Sequence, residues 1–393
     1  MRVKLILLFF AIVAGGNLSV AQTKMSLDTT IEVIENGNVI NKAWAGGVDC
    51  PMYSATDINN DGIKDLIIFD HKTNRLTTYI NNNTSGINYT YAPEYERYFP
   101  VMHDWIKMYD YNCDGHEDIF THGNGGIACY RNNGTNPLSF TFVTPQINSL
   151  YHFGSTFFLS NIYVSAVNVP SFVDMDNDGD MDIISFPLGA SYIEYHKNYS
   201  MDSVGSCSGF RFYNIRVCWG YFTLQGNSNV AVLPPTAITS GNCPAFAATY
   251  PRSSNEYDKL DLADTLRHSG NILEGVDIDG DGDKDLLTGD IVGTNVLLVE
   301  NGGNQDSAYA VTQDSLFPVY DVPARMENIP SPFIVDVNND GKKDMMVSNF
   351  NGDLFQGAGE NYYNTLLYQN ISPNPNAYQF QYIKNTFMTD EMI

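Results

Sequence analysis

The stretch Asp277-Ile-Asp-Gly-Asp-Gly-Asp-Lys-Asp285 decides how the rest of this chain is read. Acidic side chains stand at its positions one, three, five and nine, and a glycine at position six. Carboxylates two residues apart in a tightly curled loop point into one shared hollow. Unpaired, they repel by about 4 kcal/mol per pair at roughly 4 Å and an effective dielectric near 20. A hard divalent cation removes that conflict, and oxygen ligands in a flexible loop suit calcium. The glycine supplies a sharp turn that a side chain would block.

The frame returns in Asp57-Ile-Asn-Asn-Asp-Gly-Ile-Lys-Asp65, Asp110-Tyr-Asn-Cys-Asp-Gly-His-Glu-Asp118, Asp174-Met-Asp-Asn-Asp-Gly-Asp-Met-Asp182 and Asp336-Val-Asn-Asn-Asp-Gly-Lys-Lys-Asp344. All five loops keep Asp at one, five and nine, Asp or Asn at three, and Gly at six. Chance does not repeat such a frame five times. Its opening half is shared with the EF-hand loop, which ends on a bidentate Glu at position twelve and sits between helices. Position twelve here is Ile68, Thr121, Ser185, Thr288 and Val347, so that ligand is missing each time. Short apolar runs follow the loops, such as Leu66-Ile67-Ile68-Phe69 and Met345-Met346-Val347. Others precede them, such as Ser171-Phe172-Val173 and Pro332-Phe333-Ile334-Val335. These read as buried strands. The loop joins two strands, and the EF-hand is excluded.

Strand, Asp-x-Asp/Asn-x-Asp-Gly-x-x-Asp, strand resembles the FG-GAP repeat of integrin α-subunit propellers and of the related bacterial VCBS-type secreted proteins. The resemblance covers most of the chain and is specific for fold and metal, not for what is bound. It implies an all-β fold, a β-propeller of four-stranded antiparallel blades with calcium in a hairpin of each blade. It also implies the ligands: side chains at positions one, three, five and nine, with the carbonyl at seven. Carried over, the first loop offers Asp57, Asn59, Asp61 and Asp65 with the carbonyl of Ile63. The second offers Asp110, Asn112, Asp114 and Asp118 with His116, and the third Asp174, Asp176, Asp178 and Asp182 with Asp180. The fourth offers Asp277, Asp279, Asp281 and Asp285 with Asp283, and the fifth Asp336, Asn338, Asp340 and Asp344 with Lys342. The third and fourth loops, with four ligand carboxylates each, are expected to bind most tightly.

The loops start at 57, 110, 174, 277 and 336, separations of 53, 64, 103 and 59. A four-stranded blade with its turns needs roughly 50 to 60 residues, and a fixed period of this size marks a propeller. Each unit continues into an aromatic or aliphatic run that ends on Asn: Asn81, Asn132, Asn198, Asn301 and Asn370. These are expected to be third strands, with their Tyr residues packed between blades. The long interval has no acidic loop from about 199 to 262 and holds Cys207, Cys218 and Cys243. It is expected to be an elaborated hairpin or excursion of the third blade, with a metal-free blade as the rival. Cys218 with Cys243 is the favoured disulfide, while Cys50, Cys113, Cys129 and Cys207 stay open. No sixth loop follows the fifth. Roughly 400 residues would be needed for seven blades, so a seven-bladed type that is incomplete here is expected, or a ring of five or six.

Met1 to Ala21 reads as a leader for export: Arg2 and Lys4, an apolar core from Leu5 to Ala14, and the small-residue site Ser19-Val20-Ala21. The propeller would then occupy 22–393, outside the cell or on the surface of a bacterium. No later stretch is apolar enough to span a bilayer. The formal charge is −24, but 20 of the 45 acidic residues lie in the five loops, and five Ca²⁺ ions would bring the balance to about −14. So acidic a surface excludes nucleic acid as a partner, since phosphates demand basic residues.

The expected function is a secreted, non-enzymatic module for protein or glycan binding or adhesion, with calcium structural. Propeller faces are wide and loop-lined, and the face away from the metals is the place to look for a pocket. No nucleophile elbow, zinc-protease motif or phosphate-cradling glycine loop occurs. His116 and His122 read as exposed turn residues, and Trp44, Trp105 and Trp219 as packed. A polysaccharide lyase or glycosidase on a calcium propeller is the first alternative, because paired carboxylates converge in space and not in sequence. A purely structural surface protein is the second.

Overall fold

A computed structural model of the chain describes residues 27–153, 156–187, 190–225, 228–234, 271–305, 307–327, 329–350, 363–388 and 392. Five blades stand in it, the all-β propeller expected, with fewer blades than seven. Blade one is Pro51–Thr56, Asp65–Asp70, Arg75–Asn81 and Tyr89–Tyr91. Blade two is Ile106–Tyr109, Asp118–Gly123, Gly126–Asn132 and Phe140–Thr144. Blade three is Ser171–Val173, Asp182–Ser185, Glu194–Asn198 and Phe212–Arg216, extended outward by Asn148–Phe153 and Thr156–Asn161. Blade four is Asn271–Val276, Asp285–Asp290, Leu297–Asn301 and Ala310–Asp314. Blade five is Pro330–Val335, Asp344–Asn349, Thr365–Asn370 and Phe380–Lys384.

The second strand of a blade is covered on both faces by its neighbours. It therefore reads as an unbroken apolar run and not as an alternation. Leu66, Ile67, Ile68 and Phe69 are all wholly buried, as are Met345, Met346 and Val347. Third-strand Tyr79, Tyr195 and Tyr368 are buried as well, which fits packing between blades. Trp105 and Trp219 are buried, while Trp44 is partly exposed and donates its indole N–H to the carbonyl of Ile31. His122 is not a free turn residue: it lies in the second strand of blade two and its Nδ1 meets Asp104 at 2.6 Å.

Blade five packs directly on blade one. The Tyr53 hydroxyl lies 2.8 Å from the Thr365 hydroxyl, and Ser348 donates to the carbonyl of Pro51 at 2.5 Å. Phe120 of blade two stacks on Phe172 of blade three with centroids 4.5 Å apart. Between blades four and five the backbones approach so closely that a Cβ on Gly289 would sit 1.6 Å from the Pro330 carbonyl oxygen. Only glycine fits there.

The irregular interval begins later than expected. Phe212–Arg216 is the ordinary fourth strand of blade three, reached through the short helix Ser200–Val204. A two-stranded piece follows, Thr223–Leu224 with Ala231–Val232. Cys113 and Cys207 form a disulfide, joining blade two's loop to blade three. Cys218 is disulfide-bonded too, whereas Cys243, its expected partner, lies outside the described residues. Cys50 and Cys129 are both buried.

Candidate metal centre

All five loops adopt one conformation, dictated by their shared residues. The position-one carboxylate curls the loop: Asp57 accepts the N–H groups of Asp61 and Gly62 at 3.1 and 2.7 Å, and Asp110 those of Asp114 and Gly115 at 3.1 and 2.8 Å. The glycine at position six has φ between 83° and 100° in every loop (Gly62, Gly115, Gly179, Gly282 and Gly341). Position four is left-handed as well, at Asn60, Cys113, Asn177, Gly280 and Asn339. Asn and Gly tolerate this conformation best. Position four was a requirement of the frame not read from the sequence, although Asn recurs there.

Position nine is the most deeply held. Asp65, Asp118, Asp182, Asp285 and Asp344 are buried, and each uses both oxygens on backbone N–H groups. One oxygen takes the amide at loop position two: Ile58, Tyr111, Met175, Ile278 and Val337, at 2.8 to 3.2 Å. The other takes the amide of the Asn that ends the third strand: Asn81, Asn132, Asn198, Asn301 and Asn370, at 2.7 to 2.9 Å. One carboxylate thus clasps the loop to the third strand. The Asn side chain completes the turn, its Oδ1 accepting the amide two residues on in each blade. The recurrent Asn was visible in the sequence; its part in the clasp was not.

In loops two to five position four, turned outward by its left-handed backbone, reaches the next blade. Cys113 bonds to Cys207 of blade three. Asn177 donates to the Gly282 carbonyl of blade four at 2.6 Å and accepts from Lys284 at 2.8 Å. Gly280 lies so near Asn374 and Asn376 of blade five that a Cβ would be 3.0 to 3.2 Å from them. Asn339 exchanges hydrogen bonds with Asn81 of blade one at 2.8 and 3.0 Å. A loop's shape is therefore coupled to the joint between blades.

The residues present fit a hard cation. Carboxylate oxygens of Asp174, Asp176 and Asp182 come within 4.8 Å of one another, as do those of Asp277, Asp279 and Asp285. Asp176 Oδ1, Asp178 Oδ2, Asp180 Oδ1 and Asp283 Oδ1 are buried and accept no hydrogen bond. Such an oxygen is expensive to leave unsatisfied. In the other loops the amide of position three stands against the position-five carboxylate. Asn59, Asn112 and Asn338 donate to Asp61, Asp114 and Asp340 at 2.9, 3.0 and 3.3 Å. Burial, reinforced by neighbouring carboxylates, pushes Asp65 up to about 6 and Asp118, Asp285 and Asp344 up to about 7, against the backbone hydrogen bonds of the clasp. Asp180 and Asp283, the position-seven acids whose carbonyls were the expected ligands, are likewise pushed to about 7, burial leading. Asp182 is raised well above its ordinary value for the same reason. Ile63, His116 and Lys342 occupy position seven elsewhere, their N–H groups held by Asp61, Asp114 and Asp340 at 2.9 to 3.0 Å.

Among the described residues, loop three alone has a lysine paired with its own ligand-position carboxylates. Lys197, on the third strand of its blade, pairs with Asp176 and lies 2.9 Å from Asp202 and 3.7 Å from Asp178. Burial opposes the charge on Lys197, but these carboxylates hold the ammonium above its usual range.

A cavity among the described residues lies on the side of the acidic loops. It holds about 670 Å³ and is ringed by residues of loops one, two, three and five, with first-strand residues of blades one, two, four and five as its wall. Lys107 of blade two pairs with Glu274 of blade four across the channel, its ammonium 5.3 Å from the Phe333 ring centroid. Lys64 pairs with Glu117 at the rim.

The family model of the FG-GAP-like repeat matches residues 110–185, from the second loop through the strand behind the third. That segment is similar to an FG-GAP-like repeat. No curated protein matches the chain. Among solved structures, an Agrocybe aegerita lectin, described as recognising non-reducing terminal N-acetylglucosamine, is similar to it. The match covers 87% of this chain and 82% of that one at 15% identity, with a TM-score of 0.39.

Proposed function

We propose that this chain is an exported, calcium-clamped propeller that serves as a binding module for an extracellular glycan or protein, with the metal structural. The observation that carries the calcium reading is the set of buried carboxylate oxygens without a hydrogen-bond donor at Asp176, Asp178, Asp180 and Asp283. Positions one, three, five and nine of each loop, with the carbonyl at seven, would hold the ion. Calcium supplies positive charge that ends the repulsion among the carboxylates. The chain's own part is the clasp at position nine and the outward contact at position four, which pass a loop's order to the third strand and the next blade.

Export fits this chemistry, since extracellular modules bind calcium with dissociation constants of about 10⁻⁴ to 10⁻³ M, useful outside a cell and not in the cytosol. The leader at Met1–Ala21 supports it from the sequence. At calcium about ten times the dissociation constant a site contributes about 1.4 kcal/mol by mass action. Five sites then give on the order of 7 kcal/mol, or roughly 9 °C in melting temperature for a chain of this size. Thermal melts in millimolar calcium and in chelator should differ by that amount, and an unchanged melting temperature would end the proposal. For the ligand, the loop-rimmed cavity offers ion pairs beside aromatic rings, a surface suited to polar, extended molecules. Arrays of glycans and extracellular proteins should give retention that Lys107→Ala with Glu274→Ala weakens about tenfold. Sustained turnover of a polysaccharide by purified protein would favour the lyase or glycosidase instead.

A further inference from the structure

An exposed strand end is a template for pairing with another chain, and proteins blunt it with short strands, bulges, prolines or charges. Four blades do so. Blade one ends on a strand of three residues, Tyr89–Tyr91. Blade two's outer strand breaks register between Phe142 and Thr144 and is followed by Pro145. Those of blades four and five are irregularly paired and carry Asp314 and Lys384. Blade three has none of these devices. Its outermost strand, Thr156–Asn161, pairs with Asn148–Phe153 in six consecutive steps without a shift. It holds no charged residue and no proline. Among the described strands it has that one neighbour.

Both faces of this strand are apolar and open to solvent. Phe157, Phe158 and Leu159 are 60%, 48% and 67% exposed. Phe157 stacks on His152 and Phe158 on Tyr151, with centroids 4.5 and 5.6 Å apart, which stiffens the hairpin without covering its outer edge. Leu159 also borders a hollow of about 250 Å³ with Leu150, Phe210 and Tyr213. Charge selects the occupant. The chain is formally −24, yet no Asp, Glu, Lys or Arg occurs between Arg131 and Asp174. Two copies of so acidic a chain repel at most contacts closer than the Debye length of about 8 Å. This stretch lets them meet without like charges opposed.

We propose that Thr156–Asn161 pairs antiparallel with the same strand of a second copy of this chain, making a two-fold dimer with a sheet continuous across two third blades. Antiparallel self-pairing is isologous, so it closes at two chains and does not propagate. The inference does not depend on the calcium reading.

The test is the mass of the full exported chain in millimolar calcium by light scattering and sedimentation over a range of concentrations. Wild type is expected to reach twice the chain mass. Phe158→Lys and Leu159→Lys should each return it to one chain that still unfolds in a single cooperative transition, since neither side chain is part of the core. Ile383→Lys, exposed on the outer strand of blade five, should leave the dimer intact. A wild type that stays at one chain at every concentration overturns the proposal, as does a dimer that survives both lysines. A monomer that binds lipid vesicles or a glycan through Phe157 and Phe158 also overturns it and names another occupant.

Discussion

Loops three and four carry the same aspartates at positions one, three, five, seven and nine, yet their surroundings differ. Loop three has Lys197 against Asp176, and Asp180 accepts the amide of Met201 at 2.8 Å. Tyr195 donates its hydroxyl to Asp182 at 2.9 Å. Among the described residues, loop four has no lysine of its own blade in that place. Its neighbour Lys284 turns away to Asn177 of blade three, and Asp283 Oδ1 lacks a donor as Asp176 Oδ1, Asp178 Oδ2 and Asp180 Oδ1 of loop three do, so the lysine is what separates the two loops. The same nine-residue frame is thus part-neutralised by a lysine of the protein in one blade and not in the next. The count of carboxylates ranks these two loops equally. Their neighbours do not, and loop four is expected to bind calcium more tightly than loop three.

The largest way to break this difference is to remove the internal cation. Lys197→Gln leaves Asp176, itself buried, without its partner. Losing one member of a buried pair costs about 3 kcal/mol or more. In chelator this variant should melt roughly 4 °C below wild type for a chain of this size. In calcium the gap should shrink, because the ion takes over the ammonium's role, and calorimetry should find loop three now as tight as loop four. Equal losses with and without calcium would show that Lys197 acts on packing and not on loop charge.

A smaller change sharpens the contrast from the other side. In loop five the Asn338 amide stands against Asp340 at 3.3 Å, a neutral stand-in for positive charge. Asn338→Asp gives that loop the third-position carboxylate of loop four. Calcium should bind it about tenfold more tightly, a gain near 1.4 kcal/mol. The metal-free protein should lose stability, since a hydrogen bond has become a repulsion. Titration calorimetry against wild type reads the first effect, and melting in chelator the second.

The fold was legible because the acidic frame and the apolar run behind it lie next to each other in sequence, as at Asp65 followed by Leu66-Ile67-Ile68-Phe69. The five acidic loops were legible for the same reason. What was not legible depends on residues brought together from afar. The clasp joins Asp344 to Asn370, 26 positions on, while the offset is 16 in three other blades, so a fixed spacing hides it. Lys197 gave no sign of facing Asp176, because strand register decides which side chains meet. The hairpin Asn148–Asn161 was missed for a different reason. It is an addition to one blade, and a repeat pattern carries only what the five units share.

Proton binding offers the smallest test and the one that bears most directly on loop four. Burial, with the neighbouring carboxylates adding to it, pushes Asp283 and Asp285 up to about 7 from an ordinary 3.8. A carboxyl whose folded value is raised stabilises the fold fully below its unfolded value, and that contribution is lost as pH rises through the folded value. Metal-free protein should therefore lose stability between pH 3.8 and about 7, as protons leave the loops. With calcium bound, the cation does the proton's work and this dependence should flatten. Asp283→Asn removes one such group and should flatten the metal-free profile by on the order of 1–2 °C. Hydrogen exchange in chelator should show the amides of Asp285–Asp290 accelerating more with pH than those of Asp182–Ser185, where Lys197 already supplies positive charge. A metal-free melting temperature that climbs over this range would mean that the loops carry no mutual repulsion. The distinction between loops three and four would then have no electrostatic basis.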